Sequence, residues 1–328
     1  MNVFQKNSFR DKWSPEALAA IGRLDFIARE ILDGVQQGLH RSIRRGFSSE
    51  FFDYKNYQPG DDASRIDWRL YAKTGKYYIK RFEAETSLEC MILADFSPSM
   101  RWRWKDTVSK SDYAACLLAA LALLFTRQRD LVGLHSFGTH PERHIPPRAS
   151  SKQAELLISM MLPSGSPLRA AAARGGANAA AAGGEGHRSE KGKVPSLLQT
   201  ARGISSILQH RGLILLASDF EMPEEEIQES FSLLKGKGNE LVVFHLLDIA
   251  EITLPFEEAT HFRDSETGQL MPVRIKTLRE TMRQRIESFR AAVKSAAEAV
   301  NADYIPADTA MSPVDVILRM NQARKEHF

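Results

Sequence analysis

Asp95-Phe-Ser97-Pro-Ser99 sets one carboxylate and two hydroxyls within five residues, directly after the apolar run Cys90-Met-Ile-Leu-Ala94. Hard oxygen donors turned out at the C-terminal end of a buried strand suit a small divalent cation: Mg2+, or Mn2+ or Ca2+ in its place. Three further apolar runs also end in aspartate. Asp219 follows Leu-Ile-Leu-Leu-Ala-Ser218, Asp248 follows Leu-Val-Val-Phe-His-Leu-Leu, and Asp308 follows Tyr-Ile-Pro-Ala. If the strands are parallel, all four carboxylates reach one rim. Aspartate after a strand is also the ordinary cap of the next helix, and that is the reading for Asp248 and Asp308. Asp95 and Asp219 differ because Ser97, Ser99 and Ser218 add donors beside them.

The elements that must position these groups alternate regularly. Strands are expected at 88–94, 130–137, 213–218, 240–247 and 303–307, with a return strand at 141–146. Helices are expected at 111–127, 151–162, 196–210, 223–236, 276–300 and 313–323. This alternation predicts an α/β fold with a mostly parallel, doubly wound sheet covered on both faces. Ligands of such sheets bind beyond the strand C-termini where strand order reverses.

Upstream, Ser14-Pro15 opens a helix through about Asp33, with Leu18, Ile21, Leu24, Ile27, Ile31 and Leu32 as its apolar face. Residues 1–37 form this helical segment, 38–86 a β-rich leader module, and 87–328 the main domain. Within the last, 163–193 is rich in Ala, Gly, Ser and Arg and reads as a surface loop.

Composition narrows the function classes. The 328 residues are 43% hydrophobic and 26% charged, as in an ordinary globular protein. A net charge of +3 gives no whole-molecule case for nucleic acid. Cys90 and Cys116 lie in apolar runs and fit a reducing compartment. No signal-peptide core or membrane span stands out, and a cytoplasmic protein is expected. His135, His140 and His144 lie on a strand and its return, where they need not share a face. The basic piece Arg41-Ser-Ile-Arg44-Arg45 is read as a solvated turn. No Walker A loop, nucleophile elbow, zinc-helix motif or Gly-x-Gly-x-x-Gly after a strand is found.

The strand ending in Asp95-Phe-Ser97-Pro-Ser99-Met100, with the later Ser218-Asp219, resembles the metal-ion-dependent adhesion site of a von Willebrand factor A domain. Arg45-Gly46-Phe-Ser-Ser-Glu50, Pro59-Gly60-Asp61-Asp62, Arg65-Ile-Asp67-Trp68 and Lys80-Arg-Phe82-Glu83 resemble the signature of the domain-of-unknown-function 58 family. That resemblance implies a Rossmann-like A domain behind a small leader, a non-enzymatic protein-interaction role, and a MoxR-type AAA+ ATPase as partner. It implies Asp95, Ser97, Ser99 and Asp219 as the cation's protein side. A-domain sites also take a threonine, whose position falls near 194–196; no Thr stands there, and Ser196 is the hydroxyl in its place. Arg65, Asp67 and Trp68 are read first as a buried Trp with an Arg–Asp pair fixing the leader. Two other readings stay open: a metal-dependent phosphodiesterase or nuclease using Asp95, Asp219 and Asp248, and a scaffold with a degenerate metal site.

Overall fold

The computed structural model describes residues 24–42, 54–57, 68–80, 88–105, 107–139, 142–162, 195–208, 211–256, 261–263, 269–272 and 275–326. Two compact units divide the chain, residues 38–87 and the remainder.

The larger unit is organised by a six-stranded sheet. Its strands are β3 (Glu89–Asp95), β4 (Leu131–Phe137), β5 (Arg143–Arg148), β6 (Leu213–Ser218), β7 (Glu240–Leu247) and β10 (Asp303–Asp308), in the spatial order β10-β7-β6-β3-β4-β5. All pairs are parallel except β4 with β5, which returns antiparallel at the edge. The chain starts at β3, adds β4 on one side, then crosses to β6 on the other, so strand order reverses between β3 and β6. The crevice expected at such a reversal therefore lies beyond Asp95 and Ser218.

Burial explains why these runs are strands. Every residue of β6 and all but the first of β3 are buried, as a central parallel strand covered on both faces requires. One face holds Met91, Leu93, Ile214, Leu216 and Val243 against α5 (Leu197–Ile207), α6 (Glu224–Lys235) and α8 (Ile275–Ala299). The other receives α3 (Lys110–Arg127), whose residues from Lys110 through Ala122 are all buried. An apolar helix of that length has no solvent face because α4 (Ser151–Met160) and α9 (Pro313–Glu326) pack beside it.

The N-terminal helix α1 (Leu24–Ser42) buries Leu24, Ile27, Ala28, Ile31, Leu32 and Val35, a three-and-four spacing that makes one apolar stripe. Gly34 lies where a Cβ would come within 2.9 Å of Val314, so α1 and α9 approach closely. The helix runs past Asp33 to Ser42, and the division between the two units falls within it, after Gln37. Its expected start at Ser14, with Leu18 and Ile21, lies outside the described residues.

Within residues 38–87, β1 (Tyr54–Asn56) pairs antiparallel with β2 (Tyr78–Lys80). Between them α2 (Trp68–Thr74) is helical, an element the aromatic, turn-rich texture had concealed. Trp68 corrects the expectation of a buried indole: it is 61% exposed at the start of α2, edge-on to Tyr71. Tyr71 instead carries the packing, stacked on Tyr77 at 4.4 Å between ring centroids. Gly46, Pro59, Gly60, Asp61, Arg65 and Asp67 lie outside the described residues, as does the 163–193 loop.

The return strand was expected at 141–146 and is observed, slightly later, as β5. Two short pieces were not among the expected elements, though the Asp248 cap marks the start of the first. They are α7 (Ile249–Thr253) and the ribbon of β8 (His261–Arg263) with β9 (Leu270–Pro272).

Candidate functional site

Register places the two halves of the site. Ala94 pairs with Ala217, so Asp95 and Ser218 are the next residues on adjacent strands, pointing to one face. Ser218 Oγ donates to Asp95 Oδ2 at 2.6 Å. The Ser97 N–H donates to Asp95 Oδ1 at 2.8 Å, and the Ser97 and Ser99 hydroxyls meet at 2.9 Å. A short 3-10 turn, Ser99–Arg101, follows. Asp95, Ser97, Ser99 and Ser218 thus form one cluster.

Gly138, just beyond β4, backs this cluster. Its φ of +72° is costly for any residue with a side chain, and a Cβ there would stand 2.6 Å from both Asp95 Oδ1 and Ser97 N. Phe220, after Asp219, is also left-handed at φ 57° although fully buried. Such a conformation costs about 1–2 kcal/mol in a residue with a Cβ. It is held by the Phe220 N–H donating to Ser218 Oγ at 2.9 Å and by edge-on packing against Phe231 and His245. The left-handed residue directly follows Asp219, whose Oδ1 accepts from the Glu221 N–H at 3.3 Å.

Asp219 has a partner that sequence reading missed. Lys110, the first residue of α3, is 1% exposed, with Nζ 2.8 Å from Asp219 Oδ2 and 2.8 Å from Glu251 Oε1. The contact to Asp219 is a close, buried ion pair. Glu251 is placed by the capping box of α7: Asp248 caps the helix, and Glu251 Oε2 accepts from the Asp248 N–H at 2.7 Å. Asp248 is itself fully committed. Its Oδ1 accepts from Ala250 N–H at 2.8 Å, and its Oδ2 accepts from Thr107 at 2.9 Å and Thr309 at 3.1 Å. Asp308 Oδ1 accepts from Ala310 N–H, the ordinary turn role.

The electrostatics of the halves diverge. Burial, then the nearby Asp219 charge, pushes the Asp95 carboxyl up to about 7, against the lowering effect of its Ser218 and Ser97 hydrogen bonds. Burial disfavours the Lys110 ammonium, but Asp219 and Glu251 outweigh it and hold the group above its usual value. Glu251 is raised by burial, with Lys110 opposing. His245, under the rim, is pushed down to about 4 chiefly by burial, and its Nδ1 lies 2.8 Å from Tyr304 Oη.

Ser196 is not part of this cluster's hydrogen bonding. It is the N-cap of α5, in a reciprocal capping box with Gln199. At Asp219, which the adhesion-site resemblance gives to a divalent cation, the structure places the Lys110 ammonium 2.8 Å from Oδ2. Both Asp95 oxygens already accept from protein donors, Asp219 Oδ2 faces an ammonium, and Ser196 caps a helix. Each Asp95 oxygen keeps a further lone pair, so the group that occupies the place of a cation here is the ammonium at Asp219. Among the described residues, no group of three or more His, Cys, Asp or Glu side chains is placed to hold a metal.

The outward surface of the rim has its own character. Arg101, Arg103 and Lys105 are exposed, alternating with the half-buried Trp102 and Trp104. The two indoles pack on the cluster of Ala250, Leu254 and Phe256, with Trp104 edge-on to Phe256 at 4.5 Å. Lys105 lies over the Trp104 ring. Away from the rim, His135 and His144 do share a face. They are register partners on β4 and β5 with Nδ1 atoms 3.3 Å apart, and burial, then His144, holds His135 down at about 4. His140 lies outside the described residues.

A profile of the family described as "Protein of unknown function DUF58" matches residues 53–296. Uncharacterised proteins of Mycobacterium tuberculosis and Mycobacterium bovis are each 24% identical over 254 residues, covering 77% of this chain and 72% of theirs. Among solved structures, the conserved hypothetical protein BatB from Bacteroides thetaiotaomicron is 18% identical. The alignment covers 72% of this chain and 100% of BatB at a TM-score of 0.41. The SpRpn10 VWA domain is 10% identical, with 71% and 94% covered and a TM-score of 0.38. No helix among the described residues is long and apolar enough to cross a membrane.

Proposed function

We propose a function from one premise: the chain belongs to the DUF58 family of proteins of unknown function. The reading is a non-enzymatic adaptor that docks a protein partner on the rim beyond β3 and β6. The observation that carries it is the Arg101-Trp-Arg-Trp-Lys105 segment. It leaves the Asp95–Ser99 turn at the sheet's reversal point with its cations exposed and its indoles anchored in an apolar cluster. Anchored aromatics with basic neighbours suit a partner surface carrying carboxylates. The partner that the family resemblance suggests is a MoxR-type AAA+ ATPase, met in the cytoplasm.

Catalysis has little support at this rim. The buried carboxylates are spent on internal donors, a lysine and a helix cap. Docking breaks no bond and needs none of them as acid or base.

The test is capture of a purified MoxR-type AAA+ ATPase by the full chain and by Arg101→Glu/Arg103→Glu/Lys105→Glu. The triple variant should fold normally and lose at least about tenfold in affinity at low salt. Capture equal to that of the unaltered chain would remove the rim from the account.

A further inference from the structure

We infer that Lys110 is a built-in cation, so that its ammonium does for Asp219 what a divalent ion does in a metal-dependent rim and the site keeps its shape without metal. The inference concerns the rim proposed for docking and deepens that reading, yet its geometry needs no partner.

Three segments far apart in sequence converge on this one atom. Lys110 opens α3, Asp219 follows β6, and Glu251 lies in α7. The ammonium meets both carboxylates at 2.8 Å. An ammonium has three donors in a compact charge, enough to tie together two acidic groups as a small ion would. Both helix starts beside Lys110 are fixed by caps. Ser109 caps α3, accepting from the Asp112 N–H at 3.1 Å, while Glu251 is oriented by the Asp248 N–H. The lysine is therefore positioned by the two helix starts it joins. Lysine is rarely fully buried unless paired, and this one is 1% exposed beside two carboxylates.

The chemical difference from a metal is permanence. Mg2+ exchanges, keeps several waters, and holds an open position for an incoming ligand. A covalently tethered ammonium does none of these, and at 1% exposure it cannot be touched by a partner's carboxylate. Recognition then falls to the loop that the tethered cation keeps in place, including Arg101 and Arg103, and should not respond to chelators.

Melting curves of the full chain in millimolar Mg2+ and in EDTA test this. The unaltered protein should melt at the same temperature in both. Lys110→Met should melt lower in EDTA and recover in Mg2+ by more than about 3 °C, because a ligand that binds only the folded state stabilises it. Lys110→Arg, which keeps the charge, should remain indifferent to Mg2+. If Lys110→Met does not fold, Lys110→Met/Glu251→Gln decides, since it removes one unpaired carboxylate and leaves Asp219 for the ion. A clear Mg2+ shift in the unaltered protein, or no Mg2+ response in either methionine variant, would overturn the proposal. These curves involve no partner, so loss of the docking reading would leave them unchanged.

Discussion

Asp95 and Asp219 end neighbouring strands and are each 2% exposed, but the protein treats their charges in opposite ways. Asp95 is surrounded by neutral donors, the Ser97 N–H and the Ser218 hydroxyl, and its carboxyl is held near 7. Asp219 meets a lysine as buried as itself. Dipoles reduce the cost of a buried charge without cancelling it, whereas a counter-ion cancels it and is itself stranded if the partner goes. The Asp95 half can therefore lose its charge at modest cost, while the Asp219 half cannot lose its cation.

The sharpest way to break this contrast is to remove the cation. Lys110→Met leaves the buried Asp219 and the half-buried Glu251 without their cation and should cost about 3–5 kcal/mol in metal-free denaturant unfolding. A cost below about 1 kcal/mol would mean that water reaches the pair and the halves are alike. Next is Gly138→Ala, which forces a Cβ against Asp95 and Ser97 in a left-handed backbone. It should cost about 2 kcal/mol or more, with Asp95 displaced in the structure.

The pH response separates the halves further. A carboxyl raised to about 7 in the folded state contributes stability below its unfolded value near 4, and that stability is lost as pH rises through about 7. Asp95→Asn should remove this slope, on the order of 2–4 kcal/mol across that window. His245 acts with the opposite sign. Its lowered value gives stability above about 6.5 that is lost as pH falls toward 4, so the two slopes partly cancel in the unaltered protein. Measuring Asp95→Asn and His245→Gln separately resolves them. Opposite slopes support the account, and an unchanged slope in Asp95→Asn contradicts it. The smallest stability effect belongs to Arg101→Glu/Arg103→Glu, within about 0.5 kcal/mol, since both side chains are exposed.

Much of this contrast was written where the sequence is regular. The apolar runs ending at Ala94, Ser218 and Leu247 each became buried strands, since largely apolar segments of six to eight residues bounded by polar turns fit a central parallel strand and are too short for a packed helix. The expectation that Asp95 and Asp219 share a rim followed from that, whereas the direct bond from Ser218 to Asp95 came from the structure. Lys110 was illegible for the same local reason. In Val-Ser-Lys-Ser-Asp it looks like a solvated first turn, and its partners lie more than a hundred residues away. Two signals could have exposed it. The helix it opens is apolar throughout, and Asp248-x-x-Glu251 is a capping box that fixes a carboxylate near a strand end. Gly138 after β4 was not singled out, because the side chains it makes room for are distant in sequence. Trp68 shows the opposite error, a large aromatic assigned to a core that the structure does not place around it.

A crystal structure grown in Mn2+, with anomalous scattering recorded, tests the central claim most directly. The account predicts Lys110 Nζ within hydrogen-bond distance of Asp219 and Glu251 and no anomalous peak between Asp95 and Asp219. A manganese peak held by Ser97, Ser99 and Asp219, with Lys110 swung away, would contradict it.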